Sequence, residues 1–483
     1  MDVLSVALKG SRKLMEIGGA LKAGSTPEKC ETVRDTVKYP ASDRFSCGYA
    51  KRSILPGDAY KKPYYIAGYQ ENKKSTDVLD PPHTHAIWLD DKSGHGGIVI
   101  VSVDAVGILN ADVNEIRKRL KNFALISHCR SINIVTTHNH AGIDTMGIWG
   151  HLPFSGKDKG FMENLFAQTV KAVEEAYADR KDGKLYLGRI HVPDMQEDIR
   201  LPVVYSDILT RLRFVPDDGS REIQLINFAS HSESLQGCNT RISADFPCYL
   251  RERIKDKSGA DVLYCVGCIG GMISMAIPDE QEIRDTTNDF AENTKKIGIK
   301  LADYALSIKP GDEELLTPKI STVRKEFYFE ADNTVLMLAS KIGLLNVKEH
   351  HIKGSPLNHC LKSEISYIEI GSLKTVLLPG ELFPELAYGG YLSAEESGTG
   401  KGAEVNPKPL TQITGDENTM FIGLANDEVG YILPPNDFVL NDKSPYSDNG
   451  RDAHGRRHYE ETNSLGPKTA QALASALEEL LKE

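Results

Sequence analysis

The chain has 483 residues, 40% of them hydrophobic and 26% charged, with a formal net charge of −11. That is ample apolar material for a folded core and the wrong sign of charge for a nucleic-acid binder, whose affinity rests on concentrated Lys and Arg. The dense basic patches are short, such as Arg117-Lys118-Arg119 and Arg456-Arg457, so nucleic acid is not expected as a partner.

Residues 1–13 lack the layout of a secretory signal, no apolar run reaches bilayer-spanning length, and the eight cysteines follow no disulfide rhythm. A cytoplasmic protein with free thiols and no integral membrane segment is expected. In chain order, apolar runs bounded by turn residues predict buried strands at 97–103, 132–136, 224–229, 261–266, 373–378 and 420–424. Amphipathic spacing predicts helices at 111–123, 161–179, 247–255, 289–308 and 468–482. Short apolar strands alternating with long helices predict an α/β fold of layered mixed β-sheets flanked by helices. The acidic, Pro-bearing stretch 309–318 is the best candidate for a boundary between two sub-regions of a single unit spanning 1–483. Two histidine-bearing segments are read as non-functional. His83-Thr84-His85, after two prolines, is expected in a surface turn leading into a strand, and His350, His351 and His359 in solvated loops of a charge-rich region.

Four of the strand-like runs end in a potential metal ligand. In open α/β sheets, groups at carboxyl ends of strands converge in one crevice, so distant sequence positions can meet there. The run 132–136 leads to His138-Asn139-His140, whose two imidazoles share a side if strand geometry persists. The run 224–229 halts at His231, and 373–378 leads through Pro379-Gly380 to Glu381. A short helix is expected over 382–388, where an acidic residue at the helix start is favoured even without a metal. The last run leads through Asn426-Asp427-Glu428-Val429-Gly430 to Tyr431. Each candidate alone has an equally good structural reading, and the ordered set is what carries weight.

That ordered set resembles the neutral or alkaline ceramidases, zinc amidases that split an N-acyl sphingoid base. Thr137-His138-Asn139-His140-Ala141-Gly142 is similar to the family's Thr-His-Thr-His-Ser-Gly block. Asn227-Phe228-Ala229-Ser230-His231 followed by Ser243-Ala244-Asp245 resembles its second histidine block, and Pro379-Gly380-Glu381 its Pro-Gly-Glu turn. Tyr431, Tyr459-Glu460 and Gly466-Pro467 resemble the family's closing elements, while Ile66-Ala67-Gly68-Tyr69 and Val101-Ser102-Val103-Asp104 match earlier positions. The resemblance covers about residues 66–475. It implies a ceramidase-like catalytic unit with zinc held by His138, His231, Glu381 and Tyr431, His140 handling the proton and Tyr459 facing the oxyanion. It also implies hydrolysis of a linear amide in a small-molecule or lipid-like N-acyl substrate.

Departures accompany the match. The family's Gly-Asp-Val-Ser-Pro-Asn block reads Gly271-Met272-Ile273-Ser274-Met275-Ala276 here, so Ser274 stands at the family's serine without its Asp, Pro and Asn neighbours. Ile143-Asp144-Thr145-Met146 replaces the glycines after the histidine block, and the family's substrate-contacting arginine has no clear counterpart, Arg200 being the candidate. No immunoglobulin-like domain is expected after the catalytic unit, which with the missing signal argues against membrane ceramide as the substrate. Alternatives are a zinc hydrolase of esters or small non-lipid N-acyl compounds, a non-catalytic binding homologue, and a thiol protein built on Cys265-Val266-Gly267-Cys268.

Overall fold

The computed structural model describes residues 3–23, 28–277 and 289–482. All six apolar runs form strands, at Ile98–Val103, Ser131–Thr136, Ile223–Phe228, Asp261–Val266, Leu373–Leu377 and Met420–Ile422. The predicted helices form at Lys159–Ala178, Phe246–Ser258, Ala291–Ser307 and Thr469–Lys482, while the one expected over 111–123 breaks at Leu120 into Asn110–Arg119 and Lys121–Ser127. The first residues expected in the helix over 289–308 lie just before Ala291, and residues 278–288 fall outside the description.

The larger sheet has nine strands. Its order is Asp261–Val266, Ile223–Phe228, Ile208–Pro216, Lys181–His191, Phe45–Ser53, His83–Asp90, Ile98–Val103 and Ser131–Thr136, with Glu314–Leu315 beside Lys181–His191. The two pairs at its ends are parallel, as their helical crossovers require, and the pairs between are antiparallel. The sheet curls without closing into a barrel. Ser102 Oγ donates to the Tyr264 carbonyl at 2.6 Å and the Tyr49 hydroxyl to that of Val262 at 3.3 Å, so the end strand Asp261–Val266 is bonded across the curl to Ile98–Val103, near the other end, and to Phe45–Ser53.

The smaller sheet has six strands, in the order Thr32–Asp35, Ile320–Glu330, Cys360–Ile370, Leu373–Leu377 and Met420–Ile422, with Glu349–His350 beside Cys360–Ile370. Here the reading of His350, His351 and His359 as residues of solvated loops in a charge-rich region is corrected: His350 is buried in a short strand and His359 is buried just before another. Ile320–Glu330 and Cys360–Ile370 pair over eleven positions, and charges such as Arg324, Lys325 and Glu326 sit among their apolar residues and hide the alternation. The two sheets face each other. Phe45, Ile98, Leu225 and Leu263 of the larger share one apolar cluster with Ile320, Ile368, Leu373 and Met420 of the smaller. Among the described residues, no helix is long and apolar enough to cross a membrane.

A short segment after Met420–Ile422 binds the sheets together at one rim. Gly423 N donates to the Val266 carbonyl at 3.1 Å, Ala425 N to that of Leu378 at 2.8 Å and Asn426 N to that of Ile134 at 2.7 Å. The Asn426 side chain repeats the link, accepting from Ile134 N at 2.9 Å and donating to Asn133 Oδ1 at 3.2 Å. The ends of strands far apart in sequence are thereby held within a few residues of one another.

Candidate metal centre

At this rim His138, His231 and Glu381 come together. The chain leaves the strand before His138, which takes a left-handed conformation (φ +53°). The period-two argument for His138 and His140 therefore does not hold, although the turn itself places their rings 4.6 Å apart. His140 N donates to the Ser232 carbonyl at 2.9 Å, which ties this turn to the one carrying His231. Glu381 belongs to a two-residue parallel ladder in which it pairs directly with Tyr431. The following helix starts only at Pro384, so Glu381 is not a helix cap.

The donor spacing allows His138, His231 and Glu381 to share one ion. His231 Nε2 and His138 Nε2 lie 3.1 and 3.4 Å from Glu381 Oε2, and ligands about 2.0–2.1 Å from a zinc ion are separated by roughly 3.3 Å. The opposite ring nitrogens are occupied: His138 Nδ1 is 2.7 Å from the Val106 carbonyl and His231 Nδ1 is 2.8 Å from that of Ile273. Such backbone acceptors fix the tautomer that leaves Nε2 as the ligand atom. All three side chains are buried.

The charges are strongly coupled. Burial works against a charged His231, yet the hydrogen bond to Glu381 and the charges of Glu233 and Glu381 outweigh it and lift its pKa to about 9. Burial likewise works against ionised Glu381, but the charge of His138 and the hydrogen bonds from both imidazoles hold its carboxyl well below the usual range. The Tyr431 phenol is pushed up first by burial and then by Glu381, a cost that a bound cation would reverse. Its hydroxyl donates to Met272 Sδ at 3.1 Å, a weak acceptor that gives it little to lose to a stronger partner.

His140 borders the same space, its ring 4.6 Å from His138 and 5.6 Å from His231, and the three histidines have donor atoms within 4.8 Å of one another. Both its ring nitrogens are buried and have no hydrogen-bond partner among the described residues. Burial, then the charge of His138, holds its pKa down at about 3. Gly68 lies flat against this ring: a Cβ there would sit 2.5 Å from the His140 ring, on a backbone with φ +104°. This gives the Ile66-Ala67-Gly68-Tyr69 segment a physical role in the site.

Sequence reasoning missed Glu233, two residues past His231. This buried carboxylate accepts the Ser274 hydroxyl on one oxygen and the Tyr69 hydroxyl on the other at 2.8 Å, and lies 3.5 Å from His140 Nδ1. Burial opposes its charge, but His231 and His140 lead the groups that hold its pKa down near 2. Ser274 is thus beside the centre, with its hydroxyl committed to Glu233. The signal available was a carboxylate on the turn after a candidate ligand, which is too common to single out.

Tyr459 is 47% exposed on the rim, and its phenol is raised by burial and then by Glu381. Arg200 does not present a free guanidinium. It is bound by Glu460 at 2.7 Å, Glu461 at 2.8 Å and Asp437 at 3.1 Å, so it braces the turn next to Tyr459. His83-Thr84-His85 is not a surface turn but the start of strand His83–Asp90, with His85 only 2% exposed and 2.7 Å from the Tyr49 hydroxyl. Cys265 and Cys268 are free and fully buried, and burial pushes both thiols up, which leaves no thiolate for redox chemistry. Behind Tyr69 opens a cavity of about 580 Å³, lined by Gln70, Lys73, Gln236, Cys238 and Thr240 among others.

No family profile matches the chain, and no characterised protein matches it by sequence. Among solved structures it is similar to neutral ceramidase from Pseudomonas aeruginosa, with a TM-score of 0.68 at 16% identity over 91% of this chain and 74% of that one. It is equally similar to a ceramidase complexed with C2, with a TM-score of 0.67 at 15% identity over 91% of this chain and 75% of that one. The chain has the ceramidase catalytic-domain fold.

Proposed function

We propose that the chain is a zinc-dependent hydrolase that cleaves the linear amide bond of an N-acyl amine, with the metal held by His138, His231, Glu381 and Tyr431. The observation that carries this reading is the pair of contacts from two buried imidazole Nε2 atoms to one Glu381 oxygen, at 3.1 and 3.4 Å, in a fold shared with ceramidases. Two imidazoles, a carboxylate and a phenol form a donor set suited to zinc. When bound, zinc supplies a Lewis acid that brings water ionisation toward neutral pH and polarises a carbonyl.

The chain's own residues supply the rest. His140, kept neutral by burial and holding two unpartnered nitrogens, takes a proton at one nitrogen and passes it to the leaving amine. Tyr459 on the rim donates its hydroxyl to the oxyanion, a contact of a kind that contributes about 3 to 4 kcal/mol. Ser274, bound to Glu233, orients that carboxylate beside His140. The eight free cysteines support a cytoplasmic place of action.

A second reading concerns the substrate. Tyr69, whose ring meets that of His140 at 5.3 Å, also lines a cavity of mostly polar side chains, which as a substrate pocket favours a compact, non-lipid N-acyl compound over ceramide. Purified chain should turn over members of a panel of N-acyl amines, lose that activity to a chelator and regain it with zinc, and His138→Ala should lose both the ion and the activity. Turnover of esters alone would remove the amidase assignment, and chelator-resistant turnover would remove the metal.

A further inference from the structure

The stretch 349–359 holds a second set of donors, on the smaller sheet and apart from the centre described above. Glu349 lies in the short strand that pairs with the start of Cys360–Ile370, opposite Leu361, and continuing that register sets His351 opposite His359, the residue before the strand. The rings of His351 and His359 meet edge to face at 4.6 Å. One ligating atom from each of Glu349, His351 and His359 falls within 4.8 Å of the others.

His359 is 1% exposed, and its Nδ1 lies 2.6 Å from the Leu357 carbonyl, which leaves Nε2 bare. That Nε2 is 3.5 Å from Glu349 Oε2, long for a hydrogen bond and close to the separation of two atoms on one ion. His359 Nε2 and His351 Nδ1 are both buried without a hydrogen-bond partner among the described residues. Ring nitrogens left dry and unpaired carry the full loss of their hydration.

We propose that Glu349, His351 and His359 form a second site, for a divalent transition ion such as zinc. Two imidazoles and one carboxylate suit zinc and its neighbours in the first row, with water completing the shell. A cation already stands there: Lys341 Nζ pairs with Glu349 Oε2, the oxygen that faces His359, while Ser340 Oγ donates to Oε1 at 2.9 Å. The Lys341 side chain is 35% exposed, so it can withdraw into water and yield its place. Occupancy would stiffen the loop on which the N-terminal helix Val3–Lys22 rests. Asn358 Nδ2 donates to the Glu16 carbonyl at 3.1 Å, and a Cβ on Gly19 would come within 2.4 Å of the Leu357 carbonyl oxygen.

The test uses zinc itself on the full chain, stripped with a chelator and titrated, with bound metal counted per chain. The proposal requires one equivalent that His351→Ala removes and His138→Ala leaves in place. Because His351 is partly exposed, its replacement is expected to keep the far-ultraviolet dichroism of the wild type. Lys341→Ala, which removes the competing ammonium, should tighten that equivalent about tenfold, a gain that misfolding cannot imitate. Wild-type chain whose bound zinc is unchanged by His351→Ala, or unchanged affinity in Lys341→Ala, overturns the site. Zinc lost in His138→Ala alone leaves the hydrolase reading standing while this one falls, and the reverse loss does the opposite.

Discussion

Glu233 receives the hydroxyls of Ser274 and Tyr69 on its two oxygens and faces His140 Nδ1 at 3.5 Å. It touches no imidazole nitrogen at hydrogen-bond distance, so its effect on the reaction runs through the groups it holds. If the proposed function holds, Glu233→Gln should keep zinc at the proposed His138, His231, Glu381 and Tyr431 site while turnover falls about 10- to 100-fold, the usual scale for partners of site residues. Metal analysis beside steady-state kinetics checks this, and loss of zinc would place Glu233 in the ligand set instead. Gly68→Ala belongs to the same scale: the added methyl would meet the His140 ring at 2.5 Å, so His140 must shift and turnover should fall at unchanged zinc content. The meeting of His138, His231 and Glu381 was legible because each follows closely on an apolar run, at 132–136, 224–229 and 373–378, and the ends of such strands converge on one rim. Glu233 and the cluster at His351 and His359 were not, because their meeting depends on turns and on which strand pairs with which, and no local pattern encodes that.

Helix Phe246–Ser258 is fastened to the larger sheet by one buried ion pair. Arg251 donates to both oxygens of Asp104, at 3.0 and 2.8 Å, next to His85 and the backbone nitrogen of His83. Burial opposes the charge on Asp104, but Arg251 and then His85 hold its carboxyl well below the usual range. Asp104→Asn leaves a buried guanidinium without its counter-charge, at a cost of about 3 to 5 kcal/mol. A carboxylate whose folded pKa is depressed contributes stability above its unfolded value, and that contribution fades as pH falls through the folded value. The gap between wild type and Asp104→Asn in urea unfolding should therefore hold from neutral pH down to about 4 and narrow below it. A gap that widened in acid would contradict the ion pair. This pair also explains why His83-Thr84-His85 misled as sequence: two prolines and two histidines read as surface, and only the distant Arg251 and Asp104 make their burial tolerable. The same holds for Ile320–Glu330, whose charges are satisfied across the sheet, as where Arg324 meets Glu364 at 3.0 Å.

At the scale of the whole molecule, the stretch 309–318 has the composition of a linker but not its attachments. Glu313 is bound by Arg211 at 2.8 Å and by Arg213 at 2.6 Å, both on strand Ile208–Pro216. Glu314–Leu315 pairs with Lys181–His191, and Leu316 N donates to the Leu185 carbonyl at 2.9 Å. Leu316 itself lies in the apolar cluster shared by the two sheets, and Ile320 N, at the start of the smaller sheet, donates to Asp91 at 2.6 Å on the larger. Separating the sheets would expose the inner faces of both at once, along with the rim bonds from Gly423, Ala425 and Asn426 beside His138, His231 and Glu381. Neither sheet keeps a covered inner face without the other, so unfolding one removes the stability of its neighbour. Calorimetry should accordingly show one transition, with the calorimetric enthalpy equal to the van't Hoff value, and added zinc should shift it upward as a whole. Two resolved transitions, with zinc moving one of them, would show that 309–318 divides the chain into independent units.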